Sequence, residues 1–206
     1  MQYFVGTSGF SYKEWKGTFY PEKLPQKKML GYYAEQLSTV EINNTFYRMP
    51  KRAVLESWAE QVPDEFRFVL KASQRIMHHK RLREVEDEAD YLLSTVTVLD
   101  KRLGPVLFQL SPNFKKDIPR LEAFVDLIPS RTQAAFEFRH ESWFDEDVYA
   151  CLRKKSCALC SADVDDAEPP AFVNTATWGY LRLRGNSYSD ADLAGWMKKL
   201  EALGWG

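Results

Sequence analysis

Seven short apolar runs punctuate the chain, and each closes on polar residues that strand alternation assigns to a common face. They are the stretch ending Gly6-Thr7-Ser8, VEIN with Glu41 and Asn43, FVLK with Lys71, LFQL with Gln109, AFEFR with Glu137 and Arg139, LCSAD with Asp163, and YLRLR with Arg182 and Arg184. Every run after the first follows an amphipathic stretch of helical length. Strands that alternate with helices predict right-handed βαβ units and a parallel sheet.

Successive side chains of a strand point to opposite faces, so Glu41 and Asn43 share one face while Val40 and Ile42 take the other. By the same parity Glu137 and Arg139 oppose Phe136 and Phe138, and Arg182 and Arg184 oppose Leu181 and Leu183. An open doubly wound sheet covers both faces with apolar helices, where charges repeated strand after strand are hard to satisfy. A closed barrel removes the conflict, because its interior faces other strands and the carboxyl end of that interior is the usual place of chemistry. The pattern therefore predicts an α/β TIM barrel with these polar endings at its mouth.

The segments VGTSGFSYKEWKGTFYP, VEINNTFYRMP, FRFVLKASQRIMHH, GPVLFQLSPNF, AAFEFRHESW and GYLRLRG resemble the YecE-like family, domain of unknown function 72, whose members are TIM barrels. The resemblance runs in order from Phe4 to about Trp196 and implies a fold and a site position rather than a reaction. Two positions depart from the family's habit. Met77-His78 stands where the family often has Thr-His, and Arg184 stands where the seventh strand often ends in His.

Composition is that of an ordinary soluble domain: 206 residues, 45% hydrophobic and 14% aromatic, are enough for one substantial core and predict a single domain over residues 1–206. The acidic, proline-bearing stretch from Asp163 to Pro170 reads as a loop between strands rather than a linker. A complete barrel has about 250 residues and eight strands. Here the pattern ends after the helix-like Ser189 to Leu203, so the expected barrel lacks its eighth strand at the carboxyl end. The strand edges near Tyr3 to Val5 and Tyr180 to Leu183 then offer a route to self-association.

A formal net charge of −1 argues against general attraction to nucleic acid or anionic membrane. No signal-peptide pattern opens the chain, and no apolar run reaches the ~20 residues of a membrane helix. Three cysteines, Cys151, Cys157 and Cys160, cannot all pair within one chain, which fits a reducing, cytoplasmic setting. The CxxC letters from Cys157 to Cys160 fall on a strand, which separates the thiols, so buried small apolar side chains are expected there rather than a metal or redox pair.

The candidate chemistry follows from counting charge at the predicted mouth. Lys71, Arg139, Arg182 and Arg184 oppose Glu41, Glu137 and Asp163, an excess of one positive charge that suits an anion. The basic run Lys71 to Arg83, with Arg75, His78, His79, Lys80 and Arg81, either extends this site or forms a solvated loop ahead of a helix whose first turn, Glu84 to Asp90, is acidic. Glu41 and Glu137 are the candidate general acid and base, with neutralisation of arginine as the structural alternative. His140 is a candidate proton shuttle or a helix cap. Tyr12 and Trp15, beside the Gly6-Thr7-Ser8-Gly9 turn, are candidate ligand contacts, whereas Phe46 and Trp143 read as core. The substrate-binding set is thus Tyr12, Trp15, Asn43, Lys71, His78, Gln109, Arg139, Asp163, Arg182 and Arg184.

No cofactor is expected. A magnesium or manganese site built from Glu41, Glu137 and Asp163 is the one metal option that the sequence leaves. The expected function is an enzyme, a hydrolase or isomerase, acting on a small anionic substrate such as a sugar phosphate or phosphodiester by carboxylate acid/base chemistry. The alternative is a nucleic-acid or nucleotide binding protein without catalysis.

Overall fold

A computed structural model describes residues 1–163 and 172–205. Seven strands, β1 (Gly6–Ser8), β2 (Thr39–Ile42), β3 (Arg67–Lys71), β4 (Leu103–Gln109), β5 (Ala134–Glu137), β6 (Ala158–Ala162) and β7 (Tyr180–Arg182), are hydrogen-bonded in sequence order. The pairs β1·β2, β2·β3, β5·β6 and β6·β7 are parallel. Helices α1 (Met29–Gln36), α2 (Asn44–Tyr47), α3 (Arg52–Ala59), α4 (Glu86–Val96), α5 (Ile118–Asp126), α6 (Glu146–Lys154) and α7 (Asp190–Ala202) lie between and after the strands, with short 3₁₀ and π-helical turns beside them. Helical pattern had been expected ahead of every strand after the first. Residues 172–179 contain no helix, and 164–171 lie outside the described residues.

The chain divides into two compact units that interleave along the sequence. One comprises residues 3–74 and 86–106, with β1, β2, β3, α1 to α4 and the first residues of β4. Its strands are locked by side chains as well as by the ladder. The Tyr33 hydroxyl of α1 accepts from the Thr7 backbone N–H at 2.8 Å and donates to the Thr39 carbonyl at 3.0 Å, so one phenol joins β1 to β2. Burial raises the Tyr33 pKa, which keeps this donor protonated. Gly6 pairs with Thr39, and a Cβ there would fall 1.8 Å from the Thr39 carbonyl oxygen, so no side chain fits that approach. Phe66 and Phe68 meet edge-on at 5.1 Å above this sheet, with Trp58 of α3 stacked on Phe68. Asp64, just ahead of β3, takes Lys101 and Arg102 from the turn before β4.

The other unit comprises residues 1–2, 75–85 and 107–206. Phe108 of β4, Phe136 of β5 and Phe124 of α5 form a triangle of rings 5.2 to 6.2 Å apart, which places the apolar stripe of α5 on one face of these strands. Phe138 continues that face, stacked on Phe136 and on the fully buried Trp143, whose indole N–H donates to the Phe114 carbonyl. Asp117 and Asp145 cap α5 and α6, and Ser189 with Asp192 forms a reciprocal capping box at α7. The three cysteines are buried as expected, and burial pushes the Cys157 thiol up to about 12.

After α6 the Cys157 N–H bonds the Leu152 carbonyl and the Ser156 N–H bonds the Arg153 carbonyl, a Schellman end with Ser156 at φ 52 where glycine is usual. Ser156→Gly should raise stability by about 0.5–1 kcal/mol, read as a rise of a few degrees in a thermal melt. The hydrogen bond from Lys101, then the charges of Lys101 and Arg102, hold the Asp64 carboxyl below its ordinary pKa. A depressed carboxylate pKa adds stability that is present above the unfolded value and disappears as pH falls through the folded one. Urea melts of wild type and Asp64→Asn should therefore differ at neutral pH and converge in acid; a constant difference would remove Asp64 from the pH dependence.

Candidate functional site

Residues singled out from sequence fall in both units, and each has neighbours within its own. Parity sets the stage in the second unit: with Phe108 and Phe136 turned to α5, Gln109 and Glu137 must point the other way. Glu137 is 2% exposed. Gln109 Nε2 donates to both of its carboxylate oxygens at 2.8 Å, and Arg182 donates from a terminal guanidinium nitrogen to Oε2 at 2.5 Å. The Arg139 Nε stands 3.7 Å from Oε1, beyond hydrogen-bond length, and the Arg139 side chain is 37% exposed.

Asp163 belongs to a separate contact. Its N–H donates to the Arg182 carbonyl, and its carboxylate accepts from the Tyr188 hydroxyl at 2.6 Å, which in turn accepts from the Gly185 N–H. Tyr188 was not legible in the sequence, since it follows β7 in a loop with no periodicity. Arg184 is exposed, two residues past the buried Arg182. His140 accepts from the Ser142 N–H on Nδ1 at 3.2 Å, so it caps the short turn Glu141–Trp143. That bond orients the imidazole and leaves Nε2 as its other functional nitrogen.

His78 lies in a π-helical turn, Arg75–His79, that the sequence presented as a plain loop. Ile76 and Met77 anchor this turn with no solvent exposure. Beyond it Arg81, Leu82 and Glu84 have φ of 50, 65 and 49, left-handed values that each cost about 1–3 kcal/mol in a residue other than glycine.

In the first unit Glu41 is 4% exposed and accepts from Ser8 Oγ at 3.0 Å, across the register that sets Ser8 opposite it. Asn43, expected to share a strand face with Glu41, lies instead one residue past the end of β2, where its backbone has already turned helical as the N-cap position of α2. Lys71 Nζ lies 4.4 Å from the Phe46 ring centre, a cation–π contact that gives the largely buried Phe46 a polar edge. Tyr12 donates to the Ser8 carbonyl and meets Trp15 at a tilt, ring centres 4.8 Å apart, and Trp15 joins Phe19 and Tyr20 in an aromatic group. The Tyr12 hydroxyl is thus engaged at the turn, while its ring remains 40% exposed. Among the described residues no set of three or more His, Cys, Asp or Glu side chains could hold a metal ion. None of the described helices is long and apolar enough to cross a membrane.

The model of a protein of unknown function, DUF72, matches residues 4–206. The chain belongs to the DUF72 family. It is 34% identical over 113 residues to the UPF0759 protein YecE of Escherichia coli K12, a match covering 54% of this chain and 42% of that protein. It is 27% identical over 154 residues to the UPF0759 protein YunF of Bacillus subtilis, covering 71% of this chain and 54% of YunF. The chain thus matches about half the length of these relatives. A DUF72 family protein of Thermotoga maritima superposes with a TM-score of 0.82 at 26% identity, over 97% of this chain and 86% of that one. A DUF72 family protein of Enterococcus faecalis gives 0.70 at 20% identity, over 85% and 81%, a likeness of fold alone.

Removing Glu137 would leave Arg182 buried without its carboxylate. Glu137→Leu should therefore cost about 3–5 kcal/mol, and the double substitution Glu137→Leu with Arg182→Met should recover most of it. Denaturant melts around this cycle measure the coupling; a loss in the double variant equal to the sum of the two single losses would show that the pair is not energetically linked.

Proposed function

We propose that this DUF72 chain is a TIM-barrel enzyme acting on a small anionic substrate, a sugar phosphate or phosphodiester, with Glu137 as the proton-transfer group. The observation that carries the reading is the buried Glu137 carboxylate, held by Gln109 and Arg182 while Arg139 stands beside it half-exposed. A carboxylate offers about four acceptor positions. Gln109 and Arg182 take three, and the remaining direction on Oε1 is the side on which Arg139 lies.

An incoming phosphate would draw the Arg139 fork to itself, since bidentate binding to its oxygens is better than a 3.7 Å contact. Oε1 would then face the substrate and accept or return a proton, its position fixed beforehand by the Gln109 amide. Arg182, buried behind the carboxylate, acts as a positioning residue. Alternation of helices with parallel strands supports the barrel, and a cytoplasmic location is part of the same proposal.

The test screens sugar phosphates and phosphodiesters for turnover and measures their binding by calorimetry. Arg139→Ala should weaken binding about tenfold or more. Glu137→Gln, checked for folding by a thermal melt, should lose a factor of roughly 10²–10⁴ in turnover while still binding. Binding without turnover, unchanged or tighter in Glu137→Gln, would replace this reading with that of a non-catalytic nucleotide or nucleic-acid binder. Neither binding nor turnover would leave the cluster as a structural network.

A further inference from the structure

A second basic feature lies apart from the Glu137 carboxylate in the residues that form it. His79, Lys80, Arg81, Arg83, Glu84 and Arg120 line an open, polar cleft of about 430 Å³. From this we propose that the cleft binds the phosphate or diphosphate group of a small molecule.

Charge supports an anion. Lys80, Arg81, Arg83 and Arg120 bring four permanent positive charges. Glu84 contributes one negative charge, and Asp117, which pairs with Arg120 at 2.9 Å, a second. The guanidiniums of Arg81 and Arg83 by themselves bring two positive charges, which a single monoanion does not neutralise and a phosphate dianion or a diphosphate does. The Lys80 ammonium donates to the Glu84 backbone carbonyl. Arg81 and Arg83 are exposed and make no ion pair with a described residue.

Preorganisation supports a site rather than a solvated loop. Arg120 is held on three sides, by Asp117, by the Arg81 carbonyl at 3.4 Å and by the Phe114 ring with its centre 5.3 Å away. The segment opposite it is strained. Arg81, Leu82 and Glu84 occupy left-handed backbone conformations directly after a π-helical turn. Buried Leu82 and its N–H bond to the Ile76 carbonyl hold the segment in that shape. Backbone strain and π-turns gather at functional sites, where a fixed display of side chains compensates for their cost. Here the side chains displayed are guanidiniums, whose planar forks match phosphate oxygens in pairs.

Titration calorimetry of the whole chain with inorganic pyrophosphate tests the proposal. The expected result is binding weakened by added salt, with affinity at this cleft lowered tenfold or more in the double variant Arg81→Ala, Arg83→Ala. Both side chains are exposed, so the fold should survive, which a thermal melt verifies. The measurement is repeated in Arg139→Ala, which removes the anion contact proposed at Glu137: the pyrophosphate binding that remains there should be the part lost in the Arg81→Ala, Arg83→Ala variant. Absence of binding at millimolar pyrophosphate, an undiminished affinity in the double variant, or loss of all binding in Arg139→Ala would each overturn it.

Discussion

Burying the Glu137 carboxylate is the constraint on which the second unit depends. A carboxylate removed from water destabilises the fold unless hydrogen bonds and opposite charge replace its hydration. The replacements come from the end of β4 as Gln109 and the end of β7 as Arg182, while Glu137 itself ends β5. Three strands must therefore finish at compatible levels. The parallel registers β5·β6 and β6·β7, which set Ala135 beside Ala158 and Ala162 beside Arg182, carry that alignment. A slip of one residue would turn Arg182 to the opposite face and leave the carboxylate without its cation.

The apolar side of the same strands answers to the same requirement. Phe108, Phe136 and Phe138 fill the face toward α5 and Trp143, so the neighbouring residue on each strand is turned toward the polar face. Packing and electrostatics thus agree position by position, the consistency expected where one backbone serves both. The first unit repeats this economy on a smaller scale. Tyr33 joins β1 to β2 by its hydroxyl, and Glu41 meets Ser8 across that pair.

Outside the strands, departures from local preference concentrate near basic side chains. Three left-handed residues follow a π-turn between β3 and α4, in a segment carrying His79, Lys80, Arg81 and Arg83. Ser156, by contrast, takes its positive φ at an ordinary helix end, where its hydrogen-bond pattern accounts for it. Local hydrogen bonds hold the backbone in both places, and the segment after the π-turn differs in the basic side chains that it carries.

The sequence by itself determined the alternation of strands and helices, the order of the seven strands' polar endings, the acidic start of α4 and the apolar character of the cysteines. It also placed Glu137 with Arg139 on one face and Phe136 with Phe138 on the other. These properties follow from backbone stereochemistry and nearest neighbours, with periods of 2 and 3.6 that a chain displays before it folds. Only the tertiary structure decided that Gln109 and Arg182, 28 and 45 positions from Glu137, would meet its carboxylate and leave Arg139 half-exposed. It also decided that His140 would cap a turn, that Tyr188 would reach Asp163, and that Arg120 would face the strained segment at Arg81. Such meetings depend on strand register and on where each crossover returns the chain. Those are set by the packing of whole elements, so no window of sequence contains them.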